Sequence, residues 1–153
     1  MSDSVNETGE GEEVVDDTPP IPNFSVKRKE VKRQGETEEW LEVRYGVNRA
    51  DPSLPERIVE IRRVDMGDQF DLAEIAGNQV DNNVWLSLAI VAMSVQSIDG
   101  TPERRVVEKK ALRNTLVKLG PMGVRAVREA FGSFSDGTDI EPNPDQVKAA
   151  AGN

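Results

Sequence analysis

Seventeen consecutive residues, Asn82 to Ile98 (NNVWLSLAIVAMSVQSI), carry no charge in a chain whose residues are 31% charged. Apolar side chains recur at Val84, Leu88, Val91 and Val95, and Trp85, Leu86, Ala89, Ile90, Ala92 and Met93 fill most of the remaining circumference. That pattern predicts a helix that is hydrophobic nearly all round and therefore packed on several sides. A membrane span is not expected, because Asn82, Asn83, Ser87, Ser94, Gln96 and Ser97 dilute the run, and spans need about 20 predominantly apolar residues. The rest of the chain is expected to pack around this element.

The ends are of a different character. Residues 1–17 hold seven acids and no Lys or Arg, too little apolar matter to offset the entropy of ordering, which predicts a disordered acidic arm. Such an arm reads either as a solubilising tail or as a segment that folds on a partner. The arm extends to residue 22 through a stiff Thr18-Pro19-Pro20-Ile21-Pro22 joint. Residues 23–134 then form one α+β domain, β-rich over 23–64 and helical over 65–134, and 135–153 form a flexible tail.

Lys27, Arg28, Lys29, Lys32 and Arg33 crowd seven positions without interleaved aromatics. A solvated strand face, a docking strip for the acidic arm and a phosphate contact are the alternatives. Leu41, Val43, Tyr45 and Val47 alternate with polar residues and Gly46, so 24–33 and 39–47 are expected to pair as a hairpin about Gln34-Gly35-Glu36. Trp40 falls on the opposite face, as ordinary packing or as the cap of a sheet edge or partner groove. Ile58, Val59, Ile61 and Val64 suggest a third short strand.

Asp65 or Gly67-Asp68 is placed to cap a helix through Phe70 to Ala76, and Gly77-Asn78 to end it. Asp81-Asn82-Asn83 caps the central helix and Asp99-Gly100-Thr101-Pro102 turns the chain after it. A further helix follows from Val106, and Gly120-Pro121 ends it and starts another through Phe131. The predicted architecture is a small bundle of about four helices preceded by a short antiparallel hairpin or sheet.

Chemistry is sparse. With no cysteine and no histidine, disulfides, thiolate nucleophiles and imidazole bases or ligands are absent. Asp65, Asp68 and Asp71 lack the spacing of a calcium loop, and the glycines are too scattered for a phosphate cradle. No enzyme activity, metal or cofactor is expected. The net charge of −9 argues against a general grip on nucleic acid or anionic membrane. An intracellular setting is expected from the cysteine usage, and export by a secretory signal is not expected of so acidic an N-terminus.

The order of parts over about residues 57–132, with Asp65-Met-Gly-Asp-Gln-Phe-Asp-Leu-Ala-Glu-Ile-Ala-Gly77 and above all Val95-Gln-Ser-Ile-Asp-Gly100, resembles the tail assembly chaperones of long-tailed bacteriophages. The resemblance implies a small, largely helical protein of the host cytoplasm. Such a protein binds the tape measure protein, with the tail tube protein as a further partner, while tail-tube subunits assemble, and is usually absent from the finished particle; the sequence leaves a homo-oligomer open. Helix-sized grooves suit that task, and Leu112, Leu116, Met122, Val127 and Phe131 are the candidate partner-binding residues, each also readable as ordinary core. The hairpin and acidic arm depart from the family pattern and leave open a structural tail or baseplate component retained in the virion. An acidic regulatory protein that competes for a DNA-binding surface is a third reading.

Overall fold

The computed structural model describes residues 19–135. Three strands come first: β1 (Ser25–Arg33), β2 (Glu36–Val47) and β3 (Pro55–Arg62). They are followed by α1 (Met66–Ala76), α2 (Asn83–Ser94), β4 (Val95–Ile98), β5 (Thr101–Pro102) and α3 (Lys109–Ala130). The strands form one antiparallel sheet in the order β1-β2-β3-β4-β5.

This overturns the expected four-helix bundle behind a hairpin. The sheet has five strands among the described residues; the fourth comes from the stretch read as the end of the central helix and the fifth from the turn read after it. That helix stops at Ser94, and Val95 already has extended dihedrals. β-Branched Val95 and Ile98 lie against β3, Ile61 opposite Val95 and Val59 opposite Ile98, with an irregularity in the register between Glu60 and Ile61. The apolar run hides the switch from helix to strand, because a residue buried on either element looks alike in sequence. Asp99 and Gly100 both have positive φ and join β4 to β5 as a two-residue hairpin, the geometry of a primed turn. Gln34 and Gly35 do the same between β1 and β2.

Alternation on β2 divides the sheet. Leu41, Val43 and Tyr45 are buried with Val59, Ile61 and Ile98 in the core that the helices cover. Trp40, Glu42 and Arg44 lie on the other, more open face, as expected for an antiparallel sheet with one solvated side. The caps follow the sequence. Asp65 and Asp68 form a reciprocal capping box at α1, and the Asn82 side chain accepts from the Trp85 amide at 3.1 Å. Helix α3 packs on β2 and α2 packs on α3.

The last third brings one further correction and one expectation met. Residues 106–108 are not yet helical: α3 begins at Lys109, and Val106 is buried in the connection while Arg105 pairs with Asp71 of α1. The expected break at Gly120-Pro121 is present, dividing α3 into two helical segments at Gly120, which has φ 72° and ψ 173°. Glycine adopts that conformation readily, and Pro121 restarts the helix where no N–H donor is needed. The acidic arm up to residue 18 and the tail beyond 135 lie outside the described residues. Residues 19–24 are seated on the domain: the Gly46 amide donates to the Pro22 carbonyl at 2.7 Å, and Ile21 and Phe24 pack against the core.

Candidate functional site

Helix α2 buries Leu86, Ala89, Ile90, Val91, Ala92 and Met93, yet it is not enclosed on all sides. Val84 is exposed, and Trp85 and Leu88, one turn apart, are half-buried. They form one wall of an open groove of about 860 Å³ whose other wall is α3. From α3 come the apolar Leu112, Leu116, Val117 and Val124 together with the kink residues Gly120 and Pro121. Val117 is 73% exposed, a large apolar side chain left to solvent beside its neighbours. A contiguous apolar surface of this kind marks a docking site more often than isolated exposed residues do.

The remaining lining residues are Lys109, Arg113, Arg125 and Arg128, and among the described residues no carboxylate lines the groove. Arg128 donates to Ser87 Oγ and Arg125 to the carbonyl of Pro19. Among the described residues none of these four cations is paired with an acid, whereas Arg57, Arg62, Arg105 and Lys118 each are. The groove therefore combines an apolar floor with a positive rim. It suits an apolar segment flanked by carboxylates.

The five candidate partner-binding residues separate. Leu112 and Leu116 line the groove. Val127 and Phe131 are core residues, at 0% and 6% exposure, and Met122, at 42%, is exposed but lies outside the groove lining. Trp85, Leu88, Val117, Val124 and the four cations were missed. Their signal is present in the sequence as the i, i+3 pair Trp85 and Leu88 on one face of α2, which the nearly uniform hydrophobicity of that helix obscures.

The basic strip on β1 is largely committed to neighbours within the fold. Lys29 pairs with Glu60, Arg28 with Glu39 at 3.2 Å, and Arg33 with Glu38 at 3.3 Å. Trp40 donates from its indole nitrogen to Glu38 at 3.1 Å. Glu60 is the centre of the open face: it accepts from Lys29 and, at 2.7 Å, from Ser97 of β4. The Lys29 bond, then the Ser97 bond, lower its pKa from the ordinary 4.5. A depressed carboxylate contributes stability that is present above its unfolded pKa and is lost as the pH falls through the folded value. Acid titration followed by circular dichroism is therefore expected to show stability falling below about pH 4.5. The Glu60→Gln variant should have a shallower slope there, and equal slopes would remove Glu60 from the account.

The acids considered as cation ligands have other roles. Asp65 caps α1, Asp68 is bonded to Arg62, and Asp71 pairs with Arg105. Among the described residues no group of three His, Cys, Asp or Glu could hold a metal ion, and no helix is long and apolar enough to cross a membrane. Compared with known protein families, curated proteins and solved structures, the chain matches none of them.

Proposed function

We propose that the protein is a binding module of phage tail assembly. In this reading the groove between α2 and α3 takes an apolar, acid-flanked segment of the tape measure protein and keeps it from aggregating while the tail tube forms. The observation that carries this reading is the groove itself: Trp85, Leu88, Leu116, Val117 and Val124 present apolar surface under four cations that lack acidic partners among the described residues. An amphipathic segment docks on such a surface through anchors spaced at i, i+3, i+4 and i+7. The assignment to tail assembly rests on the resemblance over residues 57–132. Its most distinctive piece, Val95 to Gly100, is strand and turn here rather than helix end, so that piece does not carry the reading and the groove does.

Co-expression with a tape measure protein tests the proposal. Val117→Asp introduces a charge at an exposed groove position and Leu116→Asp at a half-buried one. Each is expected to weaken capture of the partner by about 2 kcal/mol or more, some 30-fold, as for a central interface anchor. Val117→Asp should leave the melting temperature unchanged. Wild-type levels of soluble tape measure with Val117→Asp and Leu116→Asp would refute the groove. Finding the chain in purified virions in fixed stoichiometry would replace the chaperone by a structural tail component.

A further inference from the structure

The first described residue, Pro19, sits at the groove. Its carbonyl accepts from Arg125, one of the four rim cations, while Pro22 is held by the Gly46 amide and Ile21 and Phe24 pack against the core. The chain therefore leads from β1 back to the groove, and the segment preceding Pro19 starts from its wall.

That segment reads Glu12-Glu13-Val14-Val15-Asp16-Asp17-Thr18. The rim cations span from Lys109 to Arg128 on α3, at most about 29 Å for nineteen helical steps and less across the kink. From Arg125 to Lys109 the distance is about 24 Å or less, which roughly seven extended residues cover. Seven residues back from Pro19 is Glu12. Four carboxylates thus come within reach of four cations that have no acidic partner among the described residues, and the valine pair between the acid pairs gives the segment an apolar centre.

We propose that residues 12–18 of this same chain occupy the α2–α3 groove when no partner is bound, with the Val14-Val15 pair over the Leu116 and Val124 surface, one of the two facing it as side chains alternate along an extended chain, and the acids along the rim. The proposal rests on the groove being a site for apolar, acid-flanked segments and adds its regulation. The segment is tethered at Pro19, so it competes at a high effective concentration set by a very short linker. A partner must displace it, and a weak or incorrect segment does not. The acidic residues then serve as an internal competitor rather than a solubilising tail, and the groove is covered until a tight ligand arrives.

The absence of cysteine lets a single Val15→Cys substitution carry a nitroxide label on the full chain. In the partner-free protein the amide signals of Leu88, Arg113 and Val117 are expected to lose most of their intensity. They should recover in the Arg113→Glu, Arg128→Glu double variant and at 1 M salt, where the screening length falls to about 3 Å. The same label at Gly11→Cys keeps the test valid if a label at position 15 itself prevents docking. Undiminished groove signals with both labels, or broadening confined to Lys27–Arg33 of β1, would overturn the proposal. Groove broadening without any capture of tape measure would remove the partner assignment and leave the internal competitor standing; capture at the groove without broadening would do the reverse.

Discussion

Replacing Asp68 by alanine is expected to lower stability by about 3–5 kcal/mol, the largest effect of any single substitution considered for this protein. Asp68 is 3% exposed, and its two carboxylate oxygens accept from the two terminal nitrogens of Arg62 at 2.9 and 3.2 Å. Burial is the largest influence on Arg62 and opposes its charge, but the bond and charge of Asp68, with the charges of Asp65 and Glu38, together outweigh it and raise its pKa. Removing the aspartate leaves that charge largely buried, with Asp65 at 3.5 Å as its remaining ion-pair partner among the described residues. The same substitution breaks the capping box, because Asp68 Oδ2 also accepts from the Asp65 amide at 2.9 Å. For a domain of this size the loss corresponds to a fall in melting temperature of the order of 10–20 °C or more. Chemical denaturation of the variant measures it. A loss below about 1 kcal/mol would mean that Arg62 reaches water after relaxation. Substituting both partners, Arg62→Met with Asp68→Leu, is expected to restore most of the stability, since an apolar pair of similar volume leaves no unpaired charge.

The second large effect is expected at Gly123, where α3 meets β2. A Cβ there would lie 2.5 Å from the Tyr45 hydroxyl and 3.0 Å from Leu119 Cβ. Tyr45 is 2% exposed and its hydroxyl is buried without a hydrogen-bond partner among the described residues; burial raises its pKa. Alanine would ordinarily favour a helix over glycine by about 1 kcal/mol. Here overpacking dominates, and Gly123→Ala should destabilise by about 1–3 kcal/mol. Tyr45→Phe removes the obstructing oxygen and an unsatisfied polar atom together, so it should be near neutral alone and should recover much of the loss in the double variant. The four urea midpoints form a double-mutant cycle. Additive losses would show that α3 shifts bodily instead of colliding with Tyr45.

Local signals were legible wherever the chemistry of a turn or cap depends on a few adjacent residues. Asp65 and Asn82 cap the helices expected of them, Gly35 sits in the β1–β2 turn, and the alternation of Leu41, Val43 and Tyr45 identifies the buried face of β2. The fourth and fifth strands were not read, although Asp99-Gly100 is a strong hairpin signal. Val95 to Ile98 is as free of charge as the helix before it, and its role is decided by β3, more than thirty residues earlier in sequence. Only a small part of the candidate site was legible, for a similar reason. The α3 stripe supplied Leu112 and Leu116, but the same stripe placed Val127 and Phe131 in the groove when tertiary packing turns them into the core. Trp85 and Leu88 were assigned to the core because nothing in a uniformly apolar helix marks the side left uncovered.

The junction of α2 and β4 sets a limit on how this chain can change in length. Ser94 ends the helix and Val95 begins the strand with no residue between them. One inserted residue would have to be absorbed either by turning α2 about 100° around its axis, moving Trp85 and Leu88 off the groove, or by reversing which faces of β4 are buried. Asn48 to Leu54, a loop between β2 and β3, carries no such coupling. Length variation among descendants of this sequence is thus expected to collect in that loop, while residues 83–98 keep a fixed count.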